Sequence, residues 1–184
     1  VSECASPRCD AGYLCPACRA RVKSAGLGPY VMLDFDGVLN SKQYFKDFPE
    51  AATTGEPLDP RAVLRVQRIC DETGARIVIS SSWRHYLSVA KLRKLLGAKG
   101  LTADIVGATP QNIRRRGLQI QEWLEEAAVT AGVSALAMEW IAVDDQSAEE
   151  MAPTMGRFVQ TTWKEGLTDA LADNAIRRLL AQRR

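Results

Sequence analysis

From Tyr30 onward, short uninterrupted apolar runs alternate with longer stretches in which apolar residues recur every three or four positions. Tyr30–Leu33 (YVML), Arg76–Ile79 (RIVI), Ala103–Val106, Trp140–Val143 (WIAV) and Arg157–Gln160 have the length and apolar character of buried strands. Between them the period becomes helical. Asp59-Pro60 is an N-cap followed by proline at the first helical position. The helix it opens carries Val63, Leu64, Val66, Gln67 and Cys70 along one face before Gly74 stops it. Helical spacing also covers residues 86–96, through Leu87, Ala90, Leu92, Leu95 and Leu96, until Gly97. Leu118–Ala131 shows an apolar face of Ile120, Trp123, Leu124, Ala127 and Ala128, and Leu167–Leu180 closes the pattern. The order β-α-β-α-β-α-β-β-α predicts an α/β fold, a mostly parallel five-stranded sheet covered by helices on both faces. In such sheets, functional residues lie just past the carboxyl ends of the strands.

Residues 1–28 do not share this pattern. They are rich in Cys, Arg and Ala and end in Gly26, Gly28 and Pro29, which divides the chain into a Cys-rich segment (1–28) and a main domain (29–184). The chain is 46% hydrophobic with 24 basic and 22 acidic residues, a balance that excludes disorder as the main state and predicts no strong overall field. A nucleic-acid partner would need local basic patches. No apolar run is long enough to span a membrane. With no apolar signal segment near Val1, a cytoplasmic location is the expectation. The single histidine, His85, excludes a multi-histidine metal site and leaves the chemistry to carboxylates, hydroxyls or cysteines.

Three polar clusters follow predicted strands. Strand one runs into Asp34-Phe35-Asp36-Gly37-Val38-Leu39-Asn40, strand two into Ser80-Ser81-Ser82-Trp83-Arg84, and strand four into Asp144-Asp145. Carboxylates gathered at one sheet edge repel one another unless a cation joins them, and a hard divalent ion with oxygen ligands, above all Mg²⁺, meets that need. Gly37 allows a sharp turn and close approach of the backbone to a ligand. One carboxylate of such a pair can attack phosphorus while the other shuttles a proton. Trp83 is placed either to stack on a base or to pack beneath its loop. Arg84 is a candidate ligand for substrate phosphate or a partner of the acidic cluster. Cys70 reads as a small buried hydrophobe.

DFDGVL, RIVIS and WIAVDD, in this order and on these elements, resemble motifs I, II and IV of the haloacid dehalogenase (HAD) superfamily. The longer string ISSSWR, with RRGLQIQEWL and GLT after it, resembles the HAD phosphatase domains of Swiss Army Knife RNA-repair proteins, which are similar to the phosphatase half of polynucleotide kinase-phosphatases. The resemblance implies a HAD-like Rossmannoid α/β/α fold. It implies Asp34 as the nucleophile forming an aspartyl-phosphate, and Asp36 as general acid and then base. Ser80 would bind phosphoryl oxygens, with Ser81 as its alternative. Mg²⁺ would be held by Asp34, the Asp36 carbonyl and Asp144, with Asp145 acting directly or through water. The motif III cation would be one of Arg114, Arg115 and Arg116, of which Arg116 is favoured because it directly precedes the GLQIQEWL helix. Leu118 stands where the family has an acidic residue, and Thr162-Trp163 where it has Asp-Pro.

The gap from Asn40 to Leu58 is too short for a folded cap domain, although Tyr44, Phe45, Phe48, Lys42 and Lys46 suit an ordered aromatic and basic flap. A capless or minimally capped site suits the end of a macromolecule. In the N-terminal segment, Cys15 and Cys18 form a zinc half-site that Cys4 and Cys9 can complete to a tetrahedral structural Zn²⁺ site, with disulfides as the competing reading, and Arg8, Arg19, Arg21 and Lys23 surround it. The expectation is a Mg²⁺-dependent phosphomonoesterase acting on a phosphorylated substrate, a nucleic-acid 3′ or 5′ end in the first instance. The alternatives are a small-molecule (nucleotide) phosphatase, or a zinc-containing nucleic-acid-binding module on a non-catalytic HAD scaffold.

Overall fold

The computed structural model describes residues 27–183 apart from residues 56, 112, 113 and 155. The cysteine cluster expected to bind zinc, Cys4, Cys9, Cys15 and Cys18, lies outside the described residues, as does most of the proposed 1–28 segment.

Five strands, β1 (Tyr30–Leu33), β2 (Arg76–Ile79), β3 (Ile105–Ala108), β4 (Trp140–Asp144) and β5 (Phe158–Gln160), form one sheet in the order β3-β2-β1-β4-β5. Every pairing is parallel. Among the described residues, the α-helices are α1 (Lys42–Asp47), α2 (Pro60–Thr73), α3 (Val89–Gly97), α4 (Arg116–Ala131) and α5 (Asp169–Ala181). The chain builds outward from β1 to β2 and β3, then returns to the other side of β1 for β4 and β5. The reversal opens a crevice between the carboxyl ends of β1 and β4, the usual place for a ligand in such a sheet.

Alternation along the strands sends successive side chains to opposite faces. Val31, Leu33, Ile77, Ile79, Ile141 and Val143 pack with residues of α2, α3 and α5, including Val66, Ile69, Leu92, Leu96, Ile176 and Leu179. Tyr30, Met32, Val78, Trp140 and Ala142 pack on the other face against Ile120, Leu124 and Ala128 of α4. The three-layer arrangement matches the expectation.

Beyond shifts of one or two residues at other element ends, two element starts and one helix face differ from the expectation. β3 starts at Ile105 rather than Ala103, because Thr102 and Ala103 donate their N–H groups to Gln67 Oε1 at 2.7 and 2.9 Å. The strand then runs through Gly107, a residue that weakens a strand signal. α3 starts at Val89 rather than residue 86, since Ser88 caps it and Ser82–His85 forms a separate 3-10 turn capped by Ser81. Leu64, expected on the buried face of α2, is 53% exposed; Ala62, Val63, Val66, Ile69 and Cys70 supply that face.

The segment after β1 is ordered. Ser41 caps α1 by accepting from Tyr44 N at 3.1 Å, and Pro49–Ala52 forms a 3-10 turn behind it. No helix among the described residues is long and apolar enough to cross a membrane.

Ile141, fully buried in the middle of the sheet, tests the packing. Ile141→Ala is expected to cost about 2–5 kcal/mol in urea unfolding, and a loss below about 1 kcal/mol would contradict the described core.

Candidate active site

The site is assembled from strand ends. Asp34 directly follows β1, where its N–H donates to the Val143 carbonyl at 3.1 Å and its side chain is buried. The chain then turns tightly: the Phe35 carbonyl accepts from Val38 N, Leu39 N and Asn40 N at 3.1, 2.7 and 3.3 Å. Gly37 adopts φ +70° within this turn, and a Cβ there would run into the Asp145 carboxylate. Glycine is therefore required on two counts, backbone conformation and space. Its N–H donates to Asn40 Oδ1 at 3.0 Å and its carbonyl accepts from Thr161 Oγ1 at 2.7 Å. Gly37, expected to bind substrate, thus has both backbone polar groups engaged within the protein and serves to let the loop close on Asp145.

Asp36 is held on both oxygens. Asn40 Nδ2 donates to Oδ1 at 2.8 Å, and Trp83 Nε1 donates to Oδ2 at 2.9 Å. The Trp83 ring also packs edge-on against Phe35, with centroids 5.3 Å apart. The packing alternative for Trp83 is the one observed, with the added bond to Asp36. The sequence pattern assigns Asn40 no role beyond its place in the turn; an amide four residues beyond an aspartate in a glycine turn is the signal that points to one.

Asp144 ends β4 with no exposed surface, and Asp145 follows half-buried. Oxygens of Asp34, Asp144 and Asp145 lie within 4.8 Å of one another. Like charges at ~4 Å repel by about 4 kcal/mol per pair at an effective dielectric constant near 20. The counter-charge is Arg116, at the start of α4, whose Nη1 lies 3.1 Å from both Asp34 Oδ1 and Asp144 Oδ2. Arg114 and Arg115 are exposed. One guanidinium does not neutralise three carboxylates. Burial, followed by the neighbouring Asp34, pushes the Asp144 carboxyl up to about 7. Burial and Asp34 likewise raise Asp145.

Ser80 follows β2, with its N–H on the Leu33 carbonyl at 2.9 Å and its side chain fully buried. Its Oγ has no hydrogen-bond partner, an expensive state for a buried hydroxyl. Thr109, past the end of β3, carries a second such hydroxyl, which sequence reasoning did not single out. Ser81 Oγ accepts from Trp83 N at 3.4 Å and caps the following turn.

Arg84 requires a correction. Expected to bind substrate phosphate, it is 5% exposed and turned inward. Its Nε donates to Thr109 O at 2.9 Å. Nη1 donates to Ser80 O and Ser81 O, both at 2.6 Å, while Nη2 donates to Pro110 O at 3.0 Å and Gln119 Oε1 at 2.7 Å. All five donors are used, leaving none for a ligand. Burial, then the Arg116 charge, lowers its pKa to about 10. Arg84 ties the loops after β2 and β3 to α4, the helix that presents Arg116.

The family model for the HAD domain in Swiss Army Knife RNA repair proteins matches residues 30–172. The chain belongs to that family. Its membership supports a hydrolase of the HAD phosphatase type, and it connects the domain with RNA repair at the level of the family. Neither a curated protein nor a solved structure matches this HAD domain.

Two outcomes test the site. Arg84→Lys is expected to lose about 2–4 kcal/mol of stability in chemical denaturation, because three ammonium donors cannot satisfy the carbonyls that a planar guanidinium bridges; a loss under about 0.5 kcal/mol would refute the tie. The second concerns pH. In EDTA, the folded Asp144 carboxyl titrates near 7 and the unfolded one near ~3.9. Between those values the folded state holds the extra proton, so this group's contribution falls as pH rises, by at most about 4 kcal/mol, and levels off above the folded value. Asp144→Asn should remove that component of the slope, read as the difference between wild-type and variant stability from pH 4 to 8.

Proposed function

We propose that the protein is a Mg²⁺-dependent phosphomonoesterase that removes a terminal phosphate from nucleic acid through a covalent intermediate on Asp34. The observation that carries this reading is the convergence of Asp34, Asp144 and Asp145 with Arg116 at one end of the β1–β4 crevice. The donor set fits the ion: three carboxylates supply only oxygen, with spacing compatible with a small octahedral cation and a charge excess that favours a divalent one. Asp34, Asp144, Asp145 and the Asp36 carbonyl would hold it. When bound, Mg²⁺ supplies charge neutralisation for the phosphoryl oxygens.

In the proposed reaction, an Asp34 carboxylate oxygen attacks phosphorus as the bond from phosphorus to the ester oxygen breaks. Asp36 gives its proton to that departing oxygen. Asp36 then takes a proton from water, whose oxygen attacks phosphorus, releasing inorganic phosphate and restoring Asp34. Asn40 and Trp83 fix the Asp36 carboxylate for both transfers. Arg116 fixes Asp34 and offsets negative charge at the reaction centre. Ser80 Oγ, buried and lacking a protein partner, suits a phosphoryl oxygen. The short α1 flap supports access for a chain end, and the link of the family to RNA repair supports nucleic acid as its source.

The test is phosphate release from 3′- and 5′-phosphorylated oligonucleotides, mononucleotides and a generic aryl phosphate, with Mg²⁺ and with EDTA. Activity should need the cation and favour oligonucleotides. Asp34→Asn should lower turnover at least about 10³-fold on every substrate while circular dichroism stays native. Retained turnover in that variant would remove Asp34 as nucleophile, and a preference for mononucleotides would move the substrate to the small-molecule class.

A further inference from the structure

Beside the carboxylate site lies an aromatic and basic surface that the phosphoryl chemistry does not use. Trp163, in the loop after β5, is 47% exposed. Phe45 of α1 stands beside it, with ring centroids 6.1 Å apart. The two segments are joined through the backbone: Lys42 N donates to Trp163 O at 2.8 Å, and Gln43 N donates to Lys164 O at 3.1 Å. Behind them, Tyr44 is buried and Arg61 sits 5.2 Å over the Phe48 ring. Trp163 thus presents its indole to solvent on a supported base.

The charges on this surface are ordered. Lys42, Phe45 and Lys46 share one face of α1 by their three- and four-residue spacing, and both lysines are exposed, as is Lys164 next to Trp163. Asp47 of the same helix is engaged by Gln43 Nε2 at 2.6 Å and by Arg61 at 3.6 Å. The position is close to the reaction centre. Thr161 donates its N–H to Asp144 O and its hydroxyl to Gly37 O, and Trp163 is two residues further on, a chain reach of at most ~7 Å.

An exposed indole with flanking lysines, next to a site for a phosphate ester, matches the way single-stranded nucleic acid is held: bases stack on rings while lysines follow the phosphates. We infer that Trp163, supported by Phe45, is a stacking platform for a nucleobase near the phosphorylated end of a single strand, with Lys42 and Lys46 on the adjoining backbone phosphates. This rests on the nucleic-acid reading of the site and adds to it a strand state and a recognition residue. A duplex end keeps its bases stacked and paired, so the platform selects single strands over blunt duplexes.

The experiment compares kcat/KM for wild type, Trp163→Ala and Trp163→Phe on a phosphorylated single-stranded oligonucleotide, the same oligonucleotide with abasic terminal positions, and an aryl phosphate. Trp163→Ala is expected to lower the ratio of oligonucleotide to aryl phosphate activity about 5- to 100-fold. Trp163→Phe should restore most of that ratio, and abasic positions should erase the difference between the variants. An equal loss on both substrates would make Trp163 a prop for the flap and overturn the platform, as would no loss on the oligonucleotide. A second readout does not depend on turnover: an unphosphorylated single-stranded oligonucleotide should quench tryptophan fluorescence in the wild type and much less in Trp163→Phe. Equal quenching in the two proteins overturns the platform, whereas selective quenching without oligonucleotide hydrolysis overturns the proposed reaction and leaves the platform standing.

Discussion

Asp34 and Asp144 are buried side by side because β1 and β4 are parallel neighbours in register, and a single guanidinium lies between their carboxylates. Repulsion between the two acids is the constraint around which the crevice is built. It fixes where α4 must begin, since Arg116 is that helix's first residue. It also gives Asp145, held against Gly37, a charge with no cationic partner among the described ion pairs. A folded protein stores this excess negative charge only if the rest of the domain supplies the stability, and the two apolar layers on either side of the sheet do so.

Arg84 has the opposite character. Its charge is buried among carbonyl oxygens, and what it supplies is position. The loop after β2 places Ser80, the loop after β3 places Thr109, and α4 places Arg116; all three are held by one side chain. The Asp34–Asp36 side of the site is fixed by main-chain bonds of the turn at Phe35, and the Ser80–Thr109 side by this guanidinium. Two polar groups that look alike in sequence, Arg84 and Arg116, therefore divide the work of scaffold and counter-charge.

The sheet was legible because its central strands are short apolar runs with turn signals on each side, and β1 and β2 fall on the residues that periodicity marks. The apolar pattern places β3 two residues early because Gly107 interrupts its apolar run and Gln67 of α2 takes the preceding amides. The acidic site was legible as well, since strand ends are where a parallel sheet collects function. Side-chain direction was not. Nothing in the string SSSWR says that Arg84 folds back onto carbonyls while Trp83 reaches Asp36; that depends on a 3-10 turn closed by tertiary contacts. The same holds for Asn40, whose two bonds exist only after the glycine turn has formed.

The two main-chain hydrogen bonds that join α1 to the loop after β5 bear on how the mouth of the crevice can evolve. Segments more than a hundred positions apart in the chain form one stitched collar, so neither rim can be lengthened without dragging the other. Main-chain bonds are indifferent to side-chain identity. Exposed side chains on the collar can be exchanged while its outline persists, and selectivity can drift by substitution on a frame of constant aperture.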